Sequence, residues 1–397
     1  MVRFIHCADL HFDRSFEGIS AIQEQQGEFL DYNRQTLQAI VDLAVTEAVD
    51  FVLFAGDTFH QNRPTLRTQR LFFEQMNRLA QQDILVYLCF GNHDYYEASR
   101  YWFDFPKNVI LYTSEDVRTI EGVTKEQERY AISAFSYTHK WLEASKVPEF
   151  PQRYPVDVHL GMYHGEVGSK HYAPFQPTEM QTKGYDYWAL GHIHVPTVVM
   201  NQPPIRYAGA PIGHTRKETQ TVGVLLVSIQ RNQPAKITEH PVAGIDWQTY
   251  TCSLKGMRTK KEALAAIEAL TIGARPCFYR VVVTDTELLP ENWLTPVEKR
   301  EVIAYINQQK GKQHHWLYEL QLAESSLDRA ALSVPIEADE WQKAYSLYQQ
   351  ADIFNETIRE LWTQSTLKAV VSKQEFHEAV LERVAQRLAA EFEGGKH

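Results

Sequence analysis

Phe51-Val52-Leu53-Phe54-Ala55-Gly56-Asp57-Thr58-Phe59-His60 is the stretch whose reading decides the fold. An apolar run stops abruptly at Gly-Asp, which marks a strand buried on both faces. Gly56 lets the chain turn sharply with no Cβ in the way. Asp57 then falls just past the carboxyl end of the strand, where open α/β sheets place their ligands. Its carboxylate can bridge two cations, and His60 follows in the same loop. Gly-Asp is also an ordinary turn, so the weight of this reading rests on what the neighbouring strands end in.

Upstream, residues 2–7 form a first strand followed by Asp9-Leu10-His11. That Asp-x-His reads equally as a ligand pair or as a turn aspartate beside an unrelated histidine. A helical pattern over 23–47 carries Leu37, Ile40, Val41 and Ala44 on one face, and a second spans about 67–82. Downstream, residues 84–90 are a third strand ending in Gly91-Asn92-His93-Asp94. Strands over 157–163 and 187–190 lead to His164 and to Gly191-His192-Ile193-His194. Shorter strands are expected at 109–111, 130–135 and 222–229, and a turn-rich stretch at 203–213. The alternation of strands and helices implies a mostly parallel sheet with helices on its faces.

Beyond about residue 241 a strand–helix–strand–helix–strand unit runs to 322. Its second helix is announced by Thr295-Pro296-Val297-Glu298, a capping box with proline at the first helical position. From about 333 the strands stop and helices are expected over 339–362 and 374–392. The division is therefore 1–240, 241–332 and 333–397. The last helix is amphipathic, with Phe376, Val380, Val384, Leu388 and Phe392 on one face.

With 397 residues, 44% of them hydrophobic, the chain is long enough for more than one core. A formal net charge of −10 excludes nucleic-acid binding by bulk charge, so any such role needs a local site, metals or a partner. Cys7, Cys89, Cys252 and Cys277 lie far apart, which points to reduced core residues of a cytoplasmic protein. No signal peptide and no membrane-length apolar run is visible.

Collected in order, the strand ends read DxH, GDxxH, GNHD, H-G and GHxH. Imidazole, carboxylate and amide oxygen together suit first-row divalent metals. This order of loops resembles the calcineurin-like metallophosphoesterases. Gly56-Asp57-Thr58-Phe59-His60 with Asn62-Arg63-Pro64 is similar to their SbcD-like double-strand-break repair nucleases, and His11-Phe12-Asp13-Arg14-Ser15-Phe16-Glu17-Gly18 to the YhaO-type exonucleases among them.

The resemblance covers about residues 1–230 and implies an α/β sandwich of two mixed sheets flanked by helices. A smaller α+β capping domain and C-terminal helices would complete it. It implies two divalent metals, foremost Mn²⁺ with Fe or Zn as alternatives. Asp9, His11, Asp57 and His194 would hold one metal; Asp57, Asn92, His164 and His192 would hold the other. His93 would contact the phosphate and protonate the leaving oxygen, Asp94 would hold the His93 imidazole, and His60 would support phosphate binding or metal geometry. Arg63 and His214 are further candidates for touching substrate, although a solvated surface explains both. The implied function is DNA-end hydrolysis beside an SbcC-like coiled-coil ATPase, docked through the last helix, with a homodimer in the family's manner. A phosphodiesterase for small substrates, or a non-catalytic scaffold that keeps the metals, uses the same ligands.

Overall fold

The computed structural model describes residues 1–323 except 20, 23–25, 220–222, 232 and 291, together with the helical positions 354, 376 and 380. The helices expected over 339–362 and 374–392 lie outside the described residues apart from those three positions. The chain divides into two compact units, Met1–Ala323 and Glu324–His397, and the first carries all that follows.

Two six-stranded sheets make up most of that unit. The first is built on β1 (Val2–Cys7), β2 (Phe51–Ala55), β3 (Leu85–Cys89) and β4 (Val109–Leu111), which run parallel. The second contains β5 (Arg118–Val123), β6 (Arg129–Ala134), β7 (Val158–His164), β8 (Tyr187–Gly191), β9 (Thr197–Asn201) and β10 (Pro204–Tyr207), in the order β5-β6-β7-β8-β10-β9. Antiparallel β11 (Val224–Ile229) and β12 (Lys236–His240) complete the first sheet beyond β1. Both sheets are therefore mixed.

Every residue of β2 is buried, as its unbroken apolar run requires of a strand covered on both faces. One face packs under α1 (Gln26–Thr46) and α2 (Leu66–Ala80), where Val52 and Phe54 meet Leu37, Val41, Phe72 and Met76. The other face packs on the second sheet, where Phe51 and Leu53 meet Tyr130, Leu160 and Met162. His6 on β1 fastens the two sheets. Its Nδ1 accepts from Tyr187 Oη at 2.9 Å and its Nε2 donates to the Leu190 carbonyl at 3.1 Å.

Three parallel strands, β13 (Asp246–Ser253), β14 (Cys277–Thr284) and β15 (His315–Leu322), form the third sheet with α4 (Lys260–Glu268) and α5 (Pro296–Lys310). The capping box at Thr295 is present as the sequence predicts. This sheet shares a core with Phe16, Phe29, Tyr32 and Ile212, and the Trp247 indole donates to the Gly213 carbonyl at 2.7 Å.

The strand ends do not meet at one edge of one parallel sheet, as the alternation predicts. β1, β2 and β3 deliver their loops from one sheet, β7 and β8 from the other. Three strands go beyond the expected set. β5 is a half-exposed edge with little apolar signal, β12 is another edge, and β9 and β10 form a hairpin around Pro203, where prolines had suggested only turns. Among the described residues no helix is long and apolar enough to cross a membrane.

Candidate metal centre

Four of the seven expected ligands stand where side chains rarely stand. Asp9, His11, Asp57 and His192 have φ of 52°, 44°, 50° and 107°. Such left-handed positions cost about 1–3 kcal/mol each away from glycine and persist only where surroundings dictate them. Here the loops after β1 and β2 dictate them by pairing. Asp9 N–H donates to Gly56 O, His11 N–H to Asp57 O and Phe12 N–H to Thr58 O, at 2.9–3.1 Å. The second sheet is locked on by His192 N–H, which donates to both Asp9 carboxylate oxygens at 3.0 Å.

The side chains converge as electron-pair donors. His164 spends its Nδ1 proton on the Ala55 carbonyl at 3.0 Å, which turns the Nε2 lone pair inward. That Nε2 lies 3.1 Å from Asn92 Oδ1 and 3.5 Å from Asp57 Oδ2. His192 Nδ1 approaches the same Asn92 oxygen at 3.0 Å. On the other side His11 Nε2 and His194 Nε2 are 3.1 Å apart, and Asp57 Oδ2 is 3.8 Å from His11 Nε2. Donor atoms of Asp9, His11 and His194, and of Asp9, Asp57 and His164, lie within 4.8 Å of one another. Lone pairs pressed together this way repel unless a cation stands among them, so the donor set fits two divalent ions around Asp57. The glycines leave that room. A Cβ on Gly91 would sit 2.2 Å from Asp57 Oδ1 and 2.7 Å from His164 Nε2, and one on Gly56 2.2 Å from His164 Nδ1.

Electrostatics agree with a cation site. Burial would push the Asp57 carboxyl up, but His164 beside it overrides burial and holds it far below the usual carboxylate range. Burial likewise opposes charge on His164, yet Asp57 raises that imidazole to about 9. The pair thus demands a positive charge, either a proton or a metal. Burial drops His192 to about 3 and His11 well below its ordinary value, leaving both rings neutral donors at neutral pH.

His93 is exposed at the mouth. Its ring stacks on His60 with centroids 4.7 Å apart, and its backbone N–H donates to Asp57 Oδ1 at 2.9 Å. Donor atoms of His11, His60 and His93 also lie within 4.8 Å of one another. Asp94 does not hold the His93 imidazole. Its carboxylate accepts from the backbone N–H groups of Gly91, Thr58 and Phe59 at 2.7–3.2 Å, because three loop amides there have no strand to pair with. His214 is not solvated. It is buried against Phe16, and its Nε2 is engaged by Asn33 Oδ1 at 3.1 Å, so no face is left for substrate. Arg63 is exposed beside the loop of His60.

Two acids escaped the sequence reading. Glu218 Oε1 accepts from His194 Nδ1 at 2.9 Å, which aims His194 Nε2 into the centre; Arg14 and the backbone of His214 hold Glu218 in turn. Asp13 Oδ1 accepts from His60 N–H at 2.6 Å. Glu218 sits in Arg216-Lys217-Glu218, which reads as a charged loop, and a carboxylate following two basic residues was the only signal.

Residues 2–196 match the family of calcineurin-like phosphoesterases, and that span contains all seven converging ligands. These residues are a calcineurin-like phosphoesterase domain. The chain is 29% identical to the uncharacterized metallophosphoesterase YhaO of Bacillus subtilis over 344 residues, 83% of either chain. It is 23% identical to the DNA double-strand break repair protein Mre11 of Methanopyrus kandleri over 73% of this chain and 66% of that one. It is 23% identical to SbcD, the smaller component of the SbcCD nuclease of Escherichia coli K12, over 53% of this chain and 60% of that one. Phosphoesterases of this family bind divalent metal ions, and the phosphoesterase domain here has the groups to do so.

Acid should loosen this domain through its buried imidazoles. Burial lowers His6 and His214 to about 3, against an ordinary value near 6.5. Between those values the unfolded chain binds protons that the folded chain refuses. Stability is then full above about pH 6.5 and falls by about 1.4 kcal/mol per pH unit for each histidine as pH drops toward 3. Urea unfolding across that window should show the slope, and His6→Gln should reduce it; an unchanged slope would mean that His6 is protonated in the folded state.

Proposed function

We propose that the chain is a metal-dependent DNA nuclease that hydrolyses phosphodiesters by a two-metal mechanism. The observation that carries this reading is the convergence of Asp9, His11 and His194 on one side of Asp57, and of Asn92, His164 and His192 on the other. Bound there, two divalent cations would supply Lewis-acid activation of water and neutralise the phosphodiester. Manganese is the favoured metal, given the prominence of imidazole and the lack of any thiolate in the set, with iron or zinc as alternatives.

The protein's own groups do the rest. Asp57 offers Oδ2 to both sides while the His93 N–H holds Oδ1. His93, at the exposed mouth, would donate a proton to the leaving oxygen, and His60 stacked against it fixes its plane. Arg63 is free to meet a backbone phosphate. The three-stranded unit would cap the site, and DNA ends would be the natural substrate, as for the Mre11 and SbcD relatives. Work alongside an SbcC-like ATPase, a homodimer and a cytoplasmic location belong to the same reading; the helix proposed to dock the ATPase lies outside the described residues.

The test is to incubate the purified protein with Mn²⁺ and, separately, a 3′-labelled duplex and bis-p-nitrophenyl phosphate. Nucleotide release from the duplex supports the nuclease. Hydrolysis of the small diester alone moves the assignment to small phosphodiesters, and activity in neither leaves a metal-binding scaffold.

A further inference from the structure

Beside the metal centre two loops form a short ribbon that the chemistry above does not use. Leu142 N–H donates to His171 O at 2.9 Å and Ala173 N–H to Leu142 O at 2.7 Å, so residues 142 and 172 pair as in a sheet. Neighbouring residues on such a ribbon point to opposite faces. On the inner face the Tyr172 ring lies against His192, a candidate ligand, with centroids 4.4 Å apart. On the outer face Trp141 is 56% exposed, with the His171 ring 6.1 Å from it. Lys140 Nζ hangs 5.6 Å from the indole centroid, and Lys170, also exposed, forms no ion pair among the described residues. The cation of His171, when present, is met by Glu143 at 3.4 Å, so the two lysines remain the free charges.

We propose that Trp141 is a stacking platform for a nucleobase flanking the scissile phosphodiester, with Lys140 and Lys170 taking the adjoining phosphates. This rests on the nuclease reading and narrows its substrate to strands with an unpaired base at that position. An aromatic face stacks on any base, and flanking cations track the backbone, which is how single strands are held without sequence preference. Paired backbone at 142 and 171–173 makes the platform rigid, so little ordering cost is met on binding. Contact of the same ribbon with His192 through Tyr172 sets the platform within a nucleotide or two of the metals, and an indole held in water needs a partner of this kind more than a core does.

The experiment walks a single abasic residue across the positions flanking the cleaved bond in a single-stranded oligonucleotide, with Mn²⁺ present. The wild-type protein should lose on the order of 10-fold in kcat/KM at one or two positions, the usual scale of one base stack. In Trp141→Ala the fully base-bearing strand should be cut as slowly as the abasic one, with no abasic penalty left, while Trp141→Phe keeps the profile. Trp141 is exposed, so the alanine variant should melt with the wild type. A profile that is flat in the wild type, or identical in Trp141→Ala, overturns the platform and leaves the nuclease standing. No cleavage of any oligonucleotide, with bis-p-nitrophenyl phosphate still hydrolysed, removes both.

Discussion

Asp57→Ala should empty the metal centre and abolish hydrolysis together. Asp57 is the one carboxylate that faces both donor groups, 3.5 Å from His164 Nε2 and 3.8 Å from His11 Nε2. Without it each cation loses a ligand and most of the local negative charge. Metal ions contribute several kcal/mol of transition-state charge stabilisation, so turnover should fall on the order of 10⁴-fold or more. The readout is elemental analysis of the purified variant beside its manganese-dependent rate. Two full equivalents of metal in Asp57→Ala would sink the assignment of Asp57 as the bridge. The substitution also removes the acceptor of the His93 N–H, so a melting curve is needed to separate local loss from unfolding.

His93→Gln is the complementary case. Its ring is exposed and touches only other imidazoles, while its backbone link to Asp57 survives any side-chain change. As a positioned general acid it should keep both metals and the fold, and lose turnover by roughly 10²–10⁴-fold. Loss of metal from His93→Gln would give the ring a different office, that of a ligand within the close group it forms with His11 and His60. The two variants thus divide the centre into a part that binds and a part that reacts.

The ligand positions were legible because each follows an apolar run that can only be a buried strand, and strand ends gather. Asp57 is the plainest instance. What stayed hidden was anything set by meetings between distant loops. Asp94 lies next to His93 in sequence, which suggested a partner for its ring, but the unpaired amides of Gly91, Thr58 and Phe59 claim that carboxylate first. Glu218 approaches His194 only because the loop at 213–218 folds back over the second sheet, and nothing in its neighbours announces that. His214 looked solvated among Arg216 and Lys217 until Phe16 and Asn33 closed over it. In the fold, β2 could be read from composition, whereas β5 and β12 are edges whose exposed faces carry no apolar period.

The ligands come from two sheets, with Asp9, His11, Asp57 and Asn92 on one and His164, His192 and His194 on the other. His6 is the hydrogen-bonded tie between those sheets away from the centre. Reciprocity then applies. Whatever the cations contribute to holding the sandwich shut, the sandwich contributes to holding the cations, in equal free energy. A residue such as His6, which touches no candidate ligand side chain, is thereby part of the affinity for metal. Tightness of loading in this protein is a property of the whole seam between its sheets.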